Sequence, residues 1–421
     1  MAPLSVGGTV RVPGDKSISH RSLILACLAE GESRVAGILD SEDIRTTAAA
    51  LRSLGGDVPE LSGEMRVRGS GLRGLRAPKR ALDCGNSGTT TRLLAGVVAG
   101  HPFSARFEGD SSLSRRPMKR IAEPLTYMGA QFDFESGDGL PMTVHGVDLR
   151  SIDWDTKSAS AQVKSAILLA GLVSQVEVRV TETSRSRDHT ERMLRAMGVD
   201  VESGRNRVRL RPARRLTPLD LAVPADPSSA AFFVALAALA GEGELELDDV
   251  CLNPTRIGFL NAIKRMGGDI RVNGRASEGG EEIGTLTVRP APLANLCITA
   301  AEVPSLIDEL PLLACVAAGA GVELEITGAA ELRVKESDRI NAVVQNLRAV
   351  GASAEELPDG LRVLRGSREF SGDVDPRGDH RIAMAFGVLS AVSGNRIKIR
   401  NPECVAVSYP RFWEDLRRVA A

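Results

Sequence analysis

LRSLGGDV at Leu51–Val58, LTYMGAQF at Leu125–Phe132, LRAMGVDV at Leu194–Val201, IKRMGGDI at Ile263–Ile270 and LRAVGASA at Leu347–Ala354 are one phrase written five times. Two apolar residues lead to a glycine, and a β-rich segment follows. The glycines are Gly55, Gly129, Gly198, Gly267 and Gly351, spaced by 74, 69, 69 and 84 residues. An amphipathic run precedes each glycine, and a helix C-terminus favours a residue free to take φ > 0, so five helix ends are predicted. A period of this size sets the architecture before any motif is considered.

Upstream of each glycine lies a second recurrent phrase, an alanine-rich apolar helix. Its six copies are SLILACLAEGES, RLLAGVVAGHPF, AILLAGLVSQVE, FFVALAALAGEGE, PLLACVAAGAGVE and IAMAFGVLSAVSGN. Apolar on nearly every side, these helices belong inside layers, with the arginine-bearing helices covering them. Each unit reads strand, buried helix, strand, outer helix, two-stranded hairpin; the sixth ends in FWEDLRRVAA. The expectation is an α/β fold of six repeated units, three to a domain. The joint falls near LAVPADPSSA, around Ala225.

The chain has 421 residues, 53 basic against 54 acidic, and 43% hydrophobic residues. That is ample for two or three ordinary cores, and a net charge near −1 provides no long-range field for a polyanion. Nucleic acid is therefore not an expected partner. There is no apolar run of transmembrane length, and the start MAPLSVGGTVRVPGDKS has neither a basic n-region nor an apolar h-region, so a cytoplasmic protein without a membrane partner is expected. The six cysteines (27, 84, 251, 297, 315 and 404) form no C-x-x-C pair and read as buried free thiols. Lysines number eight, so one that stands beside small polar residues suggests a need for a compact charge.

The polar residues gather just before the buried helices, in PGDKSISHR, CGNSGTTTR, TKSASAQVK, PADPSSA, SLIDELP and RGDHR. Capping accounts for Asp226, Ser228 and Ser229. It does not account for Lys16, Arg21, Arg92, Lys164, His380 and Arg381, because cations at helix N-termini oppose the macrodipole by about 0.3–1 kcal/mol each. Something negative should compensate, and helix starts flanked by Lys or Arg suit phosphate or carboxylate. A small, multiply anionic ligand is expected. PGDKS fails the P-loop pattern, no G-x-G-x-x-G opens a helix after a strand, no H-E-x-x-H or G-x-S-x-G is present, and no metal or cofactor is expected. In ELRVKESDRIN, which leads into the outer helix of the fifth unit, Lys335 and Arg339 stand four apart on one helical face beside Glu336; Asp308 lies in an apolar stretch where a carboxylate must be paired or used. Together they offer an acid and a base among cations.

At these residues the chain resembles the 5-enolpyruvylshikimate-3-phosphate synthase family. The resemblance runs from VPGDKSISHR (Val12–Arg21) through GNSGTTTR, SRRPM, SASAQ, SRDHT, PSLIDE, RVKESDR and GDHR to ECVAVSYPRF. It implies two three-unit domains, 14–225 carrying mainly acceptor contacts and 1–13 with 226–421 carrying Asp308, Glu336, Arg339 and Arg381, with the active site in the interdomain cleft. It implies transfer of the enolpyruvyl group of phosphoenolpyruvate to the 5-hydroxyl of shikimate 3-phosphate, in the pathway to chorismate and the aromatic amino acids, by a monomer whose domains close. By matching motif, Lys16, Ser17, Arg21, Ser160, Gln162, Arg187, Asp308 and Lys335 would contact shikimate 3-phosphate. Lys16, Gly88, Arg116, Gln162, Arg339 and Arg381 would surround phosphoenolpyruvate, for which the inhibitor glyphosate competes. Lys16, Asp308 and Glu336 would be catalytic, Asp308 as base on the 5-hydroxyl and Glu336 as acid toward the methylene carbon.

Departures from the family pattern are Ala161, where many members have a second serine, Arg187, where others use an aromatic or serine contact, and Val407, where some have a lysine. The related UDP-N-acetylglucosamine enolpyruvyl transferases carry a cysteine acid on an arginine-bearing loop; Arg115-Arg116 here has Ser111, Ser112 and Ser114 nearby and no cysteine. A non-catalytic anion-binding repeat protein would not need both Asp308 and Glu336. An RNA-end-binding relative fits poorly with balanced charge and 3% aromatic residues.

Overall fold

Twelve α-helices alternate between buried and surface positions along the chain, as described by a computed structural model covering residues 3–135, 137–366 and 369–420. The buried members are α1 (Lys16–Leu28), α3 (Gly88–Ala99), α5 (Ala161–Ser174), α7 (Pro227–Leu239), α9 (Leu310–Ala320) and α11 (His380–Ala391). Their even-numbered successors are α2 (Glu42–Ser53), α4 (Lys119–Met128), α6 (His189–Ala196), α8 (Gly258–Arg265), α10 (Arg339–Ala349) and α12 (Phe412–Val419). Composition explains the division. PSSAAFFVALAAL in α7 has no charge to keep wet and is buried from Pro227 to Ala238, whereas FWEDLRRV in α12 buries Phe412, Asp415, Leu416 and Val419 and exposes its arginines. The five repeat glycines follow α2, α4, α6, α8 and α10, all at positive φ between 85° and 122° to the nearest degree of Gly198 and Gly129. These are the helix ends that the repeated phrase predicts.

The chain divides into two compact units. The first is Gly14–Val223 with Ser277–Glu281; the second is Met1–Pro13, Pro224–Ala276 and Glu282–Ala421. Six small sheets accompany the six helix pairs. The commonest plan is a parallel pair followed by an antiparallel hairpin: Ile152–Asp155 runs parallel to Val178–Thr181, which pairs antiparallel with Arg207–Leu210, and that with Val201–Ser203. Two leading strands come from distant sequence. Asp220–Ala222 pairs in parallel with Glu30–Ala36 in the first unit, and Ser5–Val10 pairs in parallel with Glu242–Cys251 in the second. In the first repeat the expected hairpin is reduced: Glu64–Ser70 pairs antiparallel with Glu30–Ala36, but on the hairpin side an isolated bridge, Asp57 to Arg68, is all that joins it among the described residues, since Pro59 offers no N–H to extend it.

Helix contacts in the first unit are close enough to exclude side chains. A Cβ on Gly96 in α3 would lie 2.8 Å from the Cα of Ala166 in α5. In the second unit, α7, α9 and α11 share one apolar core with the aromatic group Phe232, Phe233, Tyr409 and Phe412. Cys27, Cys84, Cys251 and Cys315 are buried there and in the first unit's layers, but Cys404 is half-buried and Cys297 is exposed. The expectation of six buried thiols therefore fails at Cys297, because strand alternation in Leu296–Ile298 turns its middle residue outward. No helix among the described residues is long and apolar enough to cross a membrane.

Candidate functional site

The first unit gathers the starts of α1, α3, α5 and α6 through side chains one turn inside them. Asp15 caps α1, accepting from the Ile18 amide at 2.8 Å, while Ser87 and Ser160 cap α3 and α5. Lys16 is half-buried and paired with Asp43 of α2; Ser17 is half-buried, and its carbonyl accepts from Arg21 at 2.9 Å. Arg21 is buried and donates to Thr190 at 2.7 Å and to Ser165 at 2.8 Å, joining α1 to α6 and α5. Arg92 of α3 donates to the Gln162 carbonyl oxygen at 2.7 Å, and the Gln162 amide donates to Thr89 at 2.9 Å. Gly88 is the first residue of α3. Arg116, buried beyond a turn of 3-10 helix, donates to the Asn86 side chain at 2.6 Å. Arg187 is half-buried just before α6.

Lys16, Arg21, Arg92, Arg116 and Arg187 lie at or beside these helix starts, with Asp15, Asp43 and Asp188 among them, and offer charge-assisted donors of the kind that hold a phosphorylated ligand. His20 carries none of that charge: burial first, then Lys16 and Arg21, hold its pKa well below the ordinary imidazole value, and its Nδ1 lies 2.7 Å from the Thr47 hydroxyl.

The second unit builds a different cluster around one guanidinium. Arg339 is 1% exposed and donates through Nε to Asp379 at 2.8 Å, through Nη2 to Glu336 at 2.7 Å and through Nη1 to Asp308 at 3.3 Å. Burial opposes its charge, but Asp379, Glu336 and Asp308 outweigh burial and raise its pKa. Lys335 lies 3.7 Å from Asp308, and burial lowers its pKa with Asp308 in partial opposition. Arg381, at the start of α11, is 3.7 Å from Asp308 and 3.4 Å from the buried Glu309. Asp379 caps α11, accepting from the Arg381 amide at 3.0 Å. Asp308 and Glu336 thus share one cation and remain among two more, an arrangement that can give and take protons.

Several sequence readings change here. Lys335 and Arg339 do not share a helical face: Asp338 caps α10, which begins at Arg339, and Lys335 is extended after the 3-10 turn Ala330–Val334. They meet at Asp308 instead. Lys164 does not await an outside anion, because Glu182 and Glu191 hold it at 2.8 and 2.9 Å. Capping of α7 falls to Asp226, which accepts from the Ser228 amide, whereas the Ser228 hydroxyl donates to Glu309. Asp43 and Asp379 were not singled out from sequence. Asp379 could have been, as an aspartate immediately before a helix. Val407 ends a 3-10 helix, Pro402–Val407, half-buried. Among the described residues no group of His, Cys, Asp and Glu could hold a metal ion.

The family profile described as EPSP synthase (3-phosphoshikimate 1-carboxyvinyltransferase) matches residues 2–416. A protein of Sulfurihydrogenibium sp. named 3-phosphoshikimate 1-carboxyvinyltransferase is 48% identical over 421 residues, covering 99% of this chain and 97% of its own. One of that name from Xanthomonas oryzae pv. oryzae is 47% identical, covering 96% and 92%. Among solved structures, EPSP synthase from Acinetobacter baumannii superposes with a TM-score of 0.87 at 40% identity, covering all of this chain and 97% of its own. The enolpyruvyl transferase NikO from Streptomyces tendae, at 18% identity and a TM-score of 0.77 over all of this chain and 98% of its own, shares the fold. Matched along nearly its whole length, this α/β chain belongs to the EPSP synthase family, the 3-phosphoshikimate 1-carboxyvinyltransferases.

Proposed function

We propose that the two polar clusters divide the work of one enolpyruvyl transfer, from phosphoenolpyruvate to the 5-hydroxyl of shikimate 3-phosphate with release of phosphate. Membership of the family makes the chain a transferase of the shikimate pathway. The residue roles are our reading. Lys16, Ser17, Arg21, Ser160, Gln162 and Arg187 hold shikimate 3-phosphate, with Lys335 adding a charge and Asp308 meeting the acceptor hydroxyl. Lys16, Gly88, Arg116, Gln162, Arg339 and Arg381 hold phosphoenolpyruvate, and the first unit serves mainly the acceptor.

Addition of an alcohol across the enol double bond needs a proton given to carbon, a proton taken from oxygen, and fixed cations for phosphate and carboxylate. Asp308 takes the hydroxyl proton; Glu336 gives one to the methylene carbon. Collapse of the adduct reverses the carbon step: the methyl group returns a proton to the Glu336 carboxylate, the double bond forms as the enol ether of the product, the C–O bond to phosphate breaks, and the proton held by Asp308 leaves with phosphate. Charge-assisted hydrogen bonds of about 1.5–3 kcal/mol each supply the binding, and acid and base each contribute roughly 10²–10⁴ in rate. The observation that carries the assignment is the convergence of Asp308 and Glu336 on buried Arg339. The reading includes a monomer working in the cytoplasm.

The UDP-N-acetylglucosamine acceptor is not favoured: SRRPM lacks a nearby cysteine, and the matching relatives carry the shikimate enzyme's name. Phosphate release from phosphoenolpyruvate with each acceptor tests the reading. Turnover with shikimate 3-phosphate is expected; turnover with the nucleotide sugar alone would refute it.

A further inference from the structure

Lys164 lies on the first turn of α5, 2% exposed, and its partners Glu182 and Glu191 are equally buried. Burial opposes the ammonium, but Glu191 and Glu182 outweigh it and raise its pKa, so the buried lysine keeps its charge. The second oxygen of Glu191 is buried with no hydrogen-bond partner. Such a cluster is a poor way to gain stability, because apolar residues of similar volume do as well or better.

What it does provide is a fixed geometry between three segments. Glu182 follows the strand Val178–Thr181 and accepts from both the amide, at 3.4 Å, and the hydroxyl of Ser186. That clamp shapes the loop that delivers Arg187. Glu191 stands on the first turn of α6. One residue away, Ser165 and Thr190 form a second bridge between α5 and α6 at 2.8 Å, and Arg21 donates to both. Ser160 caps α5 one turn before Lys164, its hydroxyl accepting from the Val163 amide at 3.4 Å.

We propose that Lys164, with Glu182 and Glu191, is the positioning group of the acceptor site: it sets Ser160, Arg187 and Arg21 at the mutual spacing that shikimate 3-phosphate requires, without touching it. This rests on the assignment of those three residues to the acceptor. A rigid supporting shell matters here because a charged ligand held by several side chains loses affinity steeply when they drift by a fraction of an ångström.

The test uses Lys164→Met combined with Glu182→Gln and Glu191→Gln, which removes all three charges together, and Lys164→Arg, which keeps both carboxylate partners. The triple variant is expected to melt cooperatively, to raise KM for shikimate 3-phosphate about tenfold, and to change KM for phosphoenolpyruvate and kcat less than threefold. Lys164→Arg is expected to remain within threefold of wild type. Should the triple variant fail to fold, Glu191→Gln alone is expected to raise the same KM at least threefold. A folded variant whose shikimate 3-phosphate KM rises less than threefold, or whose two KM values rise equally, overturns the proposal. Calorimetric titration of wild type with shikimate 3-phosphate separates the two failures. No binding there overturns the acceptor reading itself, whereas binding that the triple variant leaves unchanged overturns only the positioning role.

Discussion

Replacing Gly88 by alanine places a methyl group against the guanidinium cluster at the start of α3. A Cβ there would lie 2.8 Å from Arg92 Nη1 and 3.5 Å from Arg116 Nη1. The first approach is closer than a carbon can make, so the tip of Arg92 must retreat by several tenths of an ångström. Its 2.7 Å bond to Gln162 then lengthens or breaks. Because a flexible tip and not backbone gives way, the fold is spared, and alanine on a helix favours the helical state by up to about 1 kcal/mol. Thermal melting is therefore expected to stay within the shift that about 1 kcal/mol produces. A charge-assisted hydrogen bond contributes about 1.5–3 kcal/mol; this one lies within the protein and reaches the ligand only through the placing of Gln162, so a loss in anion binding of roughly tenfold, up to a ceiling near a hundredfold, follows. Steady-state assays varying phosphoenolpyruvate and glyphosate read both effects: glyphosate inhibition is expected to weaken at least tenfold, and kcat at saturating phosphoenolpyruvate to fall less than threefold. Equal glyphosate inhibition of variant and wild type would refute the reasoning.

Asp379→Asn keeps the cap of α11 but removes a carboxylate from buried Arg339, and urea denaturation is expected to show a loss of roughly 1.5–3 kcal/mol; an unchanged midpoint would contradict the buried pairing. Stability should fall on acidification below about pH 6.5, because the unfolded chain takes up protons that His20 and His101, both held below the ordinary imidazole value by burial first, refuse when folded. The slope is at most about 1.4 kcal/mol per pH unit for each. His20→Asn should reduce the difference in urea midpoint between pH 7.5 and 5.5, and an undiminished difference would exclude His20 as a cause. Exhaustive chelation is expected to leave turnover intact; a loss restored only by one metal would contradict a metal-free reaction.

The repeat was legible because it is local: the glycines after α2, α4, α6, α8 and α10 need positive φ, and the apolar helices carry no charge to expose. The polar residues at the helix starts were legible for the same reason. What could not be read was who answers each charge. Lys164 and Arg92 look alike in sequence, each a cation one turn into a buried helix, yet one meets two carboxylates and the other a glutamine oxygen. Those partners come from segments that only tertiary packing brings near. Lys335 departs from the helical spacing for a local reason: the cap at Asp338 starts α10 after it. The strand Asp220–Ala222 of the first sheet was likewise hidden, being three residues long and paired with a strand near the other end of its unit.

Deuterium incorporation into the methylene of phosphoenolpyruvate during turnover in heavy water tests the central assignment most directly. Glu336→Gln preserves shape and hydrogen bonding while removing the exchangeable acid, so kcat should fall at least about 10²-fold, within the general acid–base range, with affinity for shikimate 3-phosphate little changed. Wild type is expected to exchange and the variant to exchange at a rate reduced by the same factor. Exchange by Glu336→Gln at the wild-type rate would show that another group protonates the carbon and that the role given to Glu336 is wrong.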